Sequence, residues 1–128
     1  MKILLDTHIW IWYLLGLPKF NRRQLKLLQD DSNELWLSPI SVWEVTLLIE
    51  KKRLPIAMPP QHWIKEALQV VHVKEARLSF EIAMLAREIP LEHDDPADRF
   101  IAATAIKHGL HLMTADKRLI KIKSINLC

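Results

Sequence analysis

Acidic side chains stand at a few places in this sequence where a carboxylate is awkward for structure and useful for chemistry. Asp6 directly follows the apolar run Ile3-Leu4-Leu5, and Asp116 directly follows Leu112-Met113-Thr114-Ala115. Taken alone, each reads first as a turn residue or a helix cap. Glu44 is more informative. Ile40 lies four residues before it, and Leu47 and Leu48 lie three and four after it. On a helix those spacings share one face, so Glu44 interrupts an apolar stripe. A carboxylate buried there is costly unless it is paired or bound to a metal. The competing reading is a glutamate at the edge of the stripe that reaches past Trp43 to water, and this residue alone leaves the two even. Asp95 precedes Pro96 and reads as a helix N-cap; Asp98 sits at the capping-box position, where it favours the helix dipole. Asp94 reads most simply as a solvated loop residue. Together, four or five carboxylates could converge on one edge, where they would repel and destabilise the fold. A hard divalent cation resolves this, and oxygen-only ligands suit Mg²⁺ or Mn²⁺. Such a site does phosphate chemistry, because the ion activates water and neutralises developing charge.

The elements that must position these residues read as alternating short strands and helices. Lys2–Leu5 reads as a strand buried on both faces. A helix is expected over His8–Leu15, closed by Gly16 and Pro18, and a second over Arg22–Gln29, capped by Asn21. Glu34–Leu37 reads as a strand. Ser38-Pro39 opens a helix to about Arg53, with proline at the first helical position. Pro59-Pro60 starts another, to about Gln69. Val70–Val73 reads as a third strand and Ala76–Glu88 as a helix. Asp95-Pro96 opens a helix that runs to His108 and is closed by Gly109. Leu110–Thr114 is a fourth strand, and Ile120–Ile125 a possible fifth. This pattern predicts an α/β fold with a mainly parallel sheet of four to five strands and helices on both faces. In such sheets, sites form outside the carboxyl ends of the strands, which is where Asp6 and Asp116 fall.

Composition narrows the function classes. A chain of 128 residues suits one compact domain. Cys128 is the only cysteine, which excludes a disulfide framework and nearly excludes a cysteine zinc site. A reducing cytosol is then the default compartment. With 26% charged and 50% hydrophobic residues, intrinsic disorder is not expected. The longest apolar run, Ile9 to Leu17, is too short for a membrane helix, which needs roughly 20 residues. The start of the chain also lacks the basic opening of a signal peptide. The expectation is a cytoplasmic single-domain protein with no membrane contact. Only Gly16 and Gly109 are present, so a glycine-rich phosphate loop is ruled out. Eighteen Lys and Arg against fifteen Asp and Glu give +3, which permits a polyanionic partner without demonstrating one.

Four blocks in order along the chain resemble the PIN-domain ribonucleases, and within them the VapC toxins of type II toxin–antitoxin modules. They are Ile3-Leu4-Leu5-Asp6-Thr7-His8, Ser41-Val42-Trp43-Glu44, Asp95-Pro96-Ala97-Asp98-Arg99-Phe100-Ile101-Ala102-Ala103-Thr104-Ala105, and Gly109-Leu110 with Leu112-Met113-Thr114-Ala115-Asp116. The resemblance spans essentially the whole chain and implies the three-layer α/β/α sandwich of that family. It implies a metal-dependent endoribonuclease with an acidic quartet, Asp6, Glu44, Asp98 and Asp116, acting as catalytic residues and as metal ligands. One or two Mg²⁺ or Mn²⁺ ions would be held, by Asp6 and Asp98 most directly. Thr7 and Thr114 match positions where the family often has a hydroxyl near the site, and Asp95 is a second-line residue or a cap. Activated water would attack the phosphodiester in line, leaving 5′-phosphate and 3′-hydroxyl ends. The 2′-hydroxyl is not used, so DNA must be excluded at the binding step. The implied partners are an RNA substrate, a cognate antitoxin that blocks the cleft, and a second copy in a homodimer. DNA would be met only through the antitoxin.

Basic clusters at Arg22-Arg23, Lys51-Lys52-Arg53 and Lys117–Lys123 read singly as solvated surface. Lys117 and Arg118 carry more weight as RNA-binding residues, because they follow Asp116. Arg99 is expected to steer phosphate or to pair with a neighbouring acid. Five tryptophans are many for this length, and most read as core or interface residues. Trp10, Trp12 and Tyr13 cannot all face one core from one helix, so some are expected to meet a partner. His93 stands near the acids and could assist. Three alternatives compete: a catalytically silent RNA-binding scaffold, a receiver-like or other Mg²⁺-dependent phosphoryl-transfer domain, and a DNA nuclease. The receiver-like reading fits worse, because it lacks a paired acid after the first strand and gives Glu44 no role.

Overall fold

The computed structural model describes residues 1–91 and 95–128. Four strands, β1 (Lys2–Leu5), β2 (Glu34–Leu37), β3 (Lys74–Glu75) and β4 (His111–Met113), form one sheet in the order β3-β2-β1-β4, with every pairing parallel. Seven helices occur among the described residues: α1 (Thr7–Leu14), α2 (Arg22–Gln29), α3 (Pro39–Glu50), α4 (Pro60–Val70), α5 (Phe80–Glu88), α6 (Pro96–His108) and α7 (Lys117–Ile120).

Successive side chains of a strand point to opposite faces, and β1 shows what that does. Ile3 and Leu5 join one apolar cluster, with Ile9 and Trp10 of α1, Leu28 of α2, Val45 of α3 and Ile64 of α4. Leu4 joins the other, with Ile82 of α5, Ile101 of α6 and Leu119 of α7. β4 divides in the same way, Leu112 to the second cluster and Met113 to the first. Helices α1–α4 therefore cover one face and α5–α7 the other, as expected of a sheet whose central strands are apolar on both sides.

Local signals set most boundaries. Asn21 and Gln24 form a reciprocal capping box on α2. Ser38 caps α3, with Pro39 at the first helical position. Asp95 caps α6, and Gly109 ends it at φ 63°.

The structure corrects several boundaries. β3 is Lys74–Glu75 rather than Val70–Val73, because its register is dictated by Trp36 and Leu37 of β2; Val70 closes α4 instead. A two-residue edge strand of charged side chains is a poor template for further pairing. α5 starts at Phe80 rather than Ala76, since Ser79 is its N-cap. α3 ends at Glu50 rather than Arg53, where Lys52 turns at φ 55°. The fifth strand is absent among the described residues. Asp116 caps α7, and Leu119, Ile122 and Ile125 are buried at intervals of three while Ile120 is exposed. The alternation of Ile and Lys there mimicked a strand. Among the described residues, one isolated parallel bridge, Leu112 to Leu127, extends the sheet beyond β4. No helix among the described residues is long and apolar enough to cross a membrane.

Candidate active site

The chain runs from β1 outward to β2 and β3, then returns to place β4 on the other side of β1. The strand order therefore reverses between β1 and β4, and ligands of parallel α/β sheets bind outside the carboxyl ends at such a point. Asp6 ends β1 there. Its carboxylate accepts the Thr7 amide at 2.8 Å and the Thr114 hydroxyl at 2.6 Å. Thr114 follows β4, so this contact ties the two strand ends together. The Thr114 oxygen also accepts the Asp116 amide at 3.0 Å.

One cleft of about 450 Å³ is lined by Asp6, Glu44, Asp95, Asp98 and Asp116, together with His8, Trp12, Lys117 and Arg118. The structure thus brings all four carboxylates of the expected quartet together, with Asp95 beside them. Asp6, Asp95 and Asp116 are the N-caps of α1, α6 and α7, so the plain structural reading of each also holds. Three helix N-termini meet at the cleft, each favouring negative charge. Glu44 lies beside the buried seam of α3, which is Ser41, Val45 and Ile49 rather than the stripe through Ile40. It is half-buried at the cleft edge. Thr7 is buried, with its hydroxyl 2.9 Å from that of Ser41. In the sequence alone, Ser41 stands only as the first residue of the block that ends in Glu44, with no role expected for it at the site.

Burial pushes the Asp6 carboxyl above its usual range; the Thr114 hydrogen bond opposes this and the nearby Asp98 charge adds to it. Burial also raises Glu44, opposed by the Thr7 hydroxyl and reinforced by Asp95 and Asp6. The sign follows from linkage. Between the unfolded and the raised folded values, the folded state binds more protons, so stability falls as pH rises. With chelator present, the protein is expected to be more stable at about pH 5 than at about pH 7.5, with Asp6→Asn flattening part of the slope. Urea denaturation across that range checks this, and a slope of opposite sign would refute it.

Arg118 answers part of the negative charge. Its Nε and Nη2 donate to the two oxygens of Asp116 at 3.1 and 2.8 Å, and Nη2 lies 3.6 Å from Asp98 Oδ2. Lys117 lines the same cleft. Arg99 points elsewhere: its guanidinium donates to the carbonyls of Ala86, Ile89 and Leu91 at 3.2, 3.0 and 3.3 Å. Those carbonyls lie in the last turn of α5 and just beyond it, a role that the sequence reading did not name. Trp10 packs edge-on to Trp63, and Phe20 folds back onto both Trp12 and Tyr13. The rings of α1 therefore find neighbours within the chain. His93 and Asp94 lie outside the described residues.

Among the described residues, no three carboxylate, imidazole or thiol groups already converge tightly enough to hold one ion. The donor set nonetheless fits a hard divalent cation. It is all oxygen, and the Asp98 charge adds to the burial that raises the Asp6 carboxyl, a cost that a bound cation would offset.

Comparison with known proteins gives this arrangement a context. Ribonuclease VapC22 of Mycobacterium tuberculosis (strain ATCC 25618 / H37Rv) is 32% identical over 118 residues, covering 91% of this chain and 88% of that protein. VapBC2 from Rickettsia felis, solved bound to a DNA fragment from its promoter, superposes with a TM-score of 0.73 at 20% identity, over 100% of this chain and 98% of the other. A toxin–antitoxin complex from Klebsiella pneumoniae gives 0.65 at 23% identity, over 96% and 94%. These two structures share the fold. The family model described as PIN domain matches residues 3–125. That span takes in both clusters of the core and every acid in the cleft, and the chain belongs to the PIN domain family.

Proposed function

We propose that this protein is a metal-dependent endoribonuclease and the toxin of a type II toxin–antitoxin module. The observation that carries the reading is the meeting of Asp6, Glu44, Asp98 and Asp116 in one cleft at the β1/β4 switch point. Identity of 32% to a protein named as a ribonuclease supports the substrate class. The likeness to a solved toxin–antitoxin complex supports an antitoxin as partner.

Asp6 and Asp98 would hold Mg²⁺ or Mn²⁺ most directly, with Glu44 and Asp116 completing the shell, orienting water or holding a second ion. The ion, when bound, activates water and neutralises charge on the transferring phosphate. The chain's own work is positioning. Thr7 and Thr114 fix the Asp6 carboxylate by hydrogen bonds. Glu44, half-buried beside it, orients the attacking water. Arg118 and Lys117 draw the scissile phosphate to the cleft, Arg118 exchanging its carboxylate partners for a phosphate. Homodimerisation and a cytoplasmic site of action complete the reading.

The test is direct. Purified protein, freed of any partner, is incubated with total RNA in Mn²⁺, in Mg²⁺ and in EDTA. Cuts that require the metal and bear 5′-phosphate ends are expected. RNA bound but never cut under any metal would favour the silent scaffold instead.

A further inference from the structure

Four of the five tryptophans have a ring neighbour. Trp10 meets Trp63, Trp12 meets Phe20 and His8, and Trp36 meets His108. Among the described residues Trp43 has none, and it is 56% exposed. It stands on α3 immediately before Glu44. It lines a depression of about 310 Å³ whose wall includes Glu44 and Asp95, both of which also line the acidic cleft. The two hollows are therefore neighbours that share a rim.

The far wall of the depression is basic. Trp43, Leu47 and Lys51 follow one another at helical spacing and share a face. The left-handed turn at Lys52 brings the chain back, with the Arg53 amide bonded to the Leu48 carbonyl at 2.9 Å. Lys51 and Arg53 are both exposed. Among the described residues neither is paired with a carboxylate. Arg118, which lines the acidic cleft, also lines a second groove with Lys121 and Lys123. Two hollows that share residues with the acidic cleft thus carry basic side chains, and one of them also holds an exposed indole.

We propose that Trp43, Lys51 and Arg53 form a nucleobase-stacking subsite for single-stranded RNA beside the cleavage site. This rests on the ribonuclease reading and deepens it. The cations hold the phosphates on either side of one nucleotide, and the indole face takes its base. Stacking suits an unpaired base of any identity and is worth about 1–3 kcal/mol per base. A strand seated in the acidic cleft runs on beyond it, and the phosphates of its flanking nucleotides need neutralisation, which cations in the adjoining hollows supply.

Steady-state cleavage of a short single-stranded oligoribonucleotide in Mn²⁺ tests this. Trp43→Ala is expected to raise KM by about 5- to 100-fold with kcat little changed, since a base held away from the reacting phosphate binds ground and transition states alike. Trp43→Phe should retain most of the affinity. Lys51→Ala with Arg53→Ala should lower the salt dependence of kcat/KM by about 1.4 in logarithmic slope, two phosphates at about 0.7 each. An abasic nucleotide at one strand position should weaken the wild type and have no further effect on Trp43→Ala. Equal KM for wild type and Trp43→Ala, or equal abasic penalties, would overturn the subsite and leave the ribonuclease standing. A wild type that cuts no RNA under any metal would overturn both. If Trp43→Ala spares RNA cleavage and instead releases the antitoxin, the face docks protein and the proposal falls.

Discussion

Asp6→Asn is expected to lower RNA cleavage by about a thousandfold or more, the loss that follows when several kcal/mol of charge stabilisation leave the reacting phosphate. The fold should survive. Asp6 is only 5% exposed and its charge is disfavoured by burial and by Asp98. A neutral residue of the same shape removes that cost. Its amide oxygen can still accept the Thr7 amide, and the Thr114 oxygen, which already accepts from Asp116, can accept from the new amide nitrogen. Stability in EDTA should therefore stay within about 1 kcal/mol of wild type or rise. The two measurements pull apart the observed role of this residue as cap of α1 and its proposed role as ligand. A variant that cleaves at the wild-type rate would remove Asp6 from the chemistry. A variant that is inactive because it is unfolded would show that its structural role dominates.

Arg99→Ala should be among the most damaging changes remote from the apolar core, costing about 2–4 kcal/mol of stability. The last carbonyls of a helix have no partner within it, and here one guanidinium serves Ala86, Ile89 and Leu91 at once. Its positive charge also suits the negative end of α5. Arg99→Lys should fail to rescue, because an ammonium cannot reproduce a planar fork of donors. The loss should reach the cleft as well. Arg99 follows Asp98 in α6, and its hold on the end of α5 fixes the helix start that carries Asp95 and Asp98. Chemical denaturation of Ala and Lys variants, with cleavage measured far below their midpoints, checks both statements. A destabilisation below about 1 kcal/mol would mean that water replaces the guanidinium without loss.

The difference between Asp98 and Arg99 shows what the sequence makes visible. β1, α2, β2 and α6 could be read to within a residue or so, because their determinants are local: a short apolar run, the Asn21–Gln24 box, Asp95-Pro96, Gly109. The carboxylates could be placed at one edge because a residue that follows a parallel strand has few places to go. Partners of long side chains were not legible. That Arg99 reaches three carbonyls depended on where the end of α5 lay, and Arg118 joined Asp98 only once α7 stood beside α6. β3 failed for a related reason: β-branched residues at Val70–Val73 favoured a strand, but pairing with β2 decided where one formed. Trp43 shows the limit from the other side. Apolar neighbours on a helix do not say which face is covered, and here the indole before Glu44 is left in solvent.

The hydrogen bond from Thr114 to Asp6 joins groups 108 positions apart. It has a consequence in time. The central strand β1 is made first, yet one of its two neighbours, β4, is made after α6, and such distant pairings form late in folding. A growing chain on the ribosome therefore carries Asp6 and then Glu44 for most of its synthesis with no cleft to put them in. The cleft is complete only after Asp116 has emerged. The proposed ribonuclease thus has no assembled cleft with which to cut the message being read, or the ribosome, until its last strand is in place, by the order of its own strands.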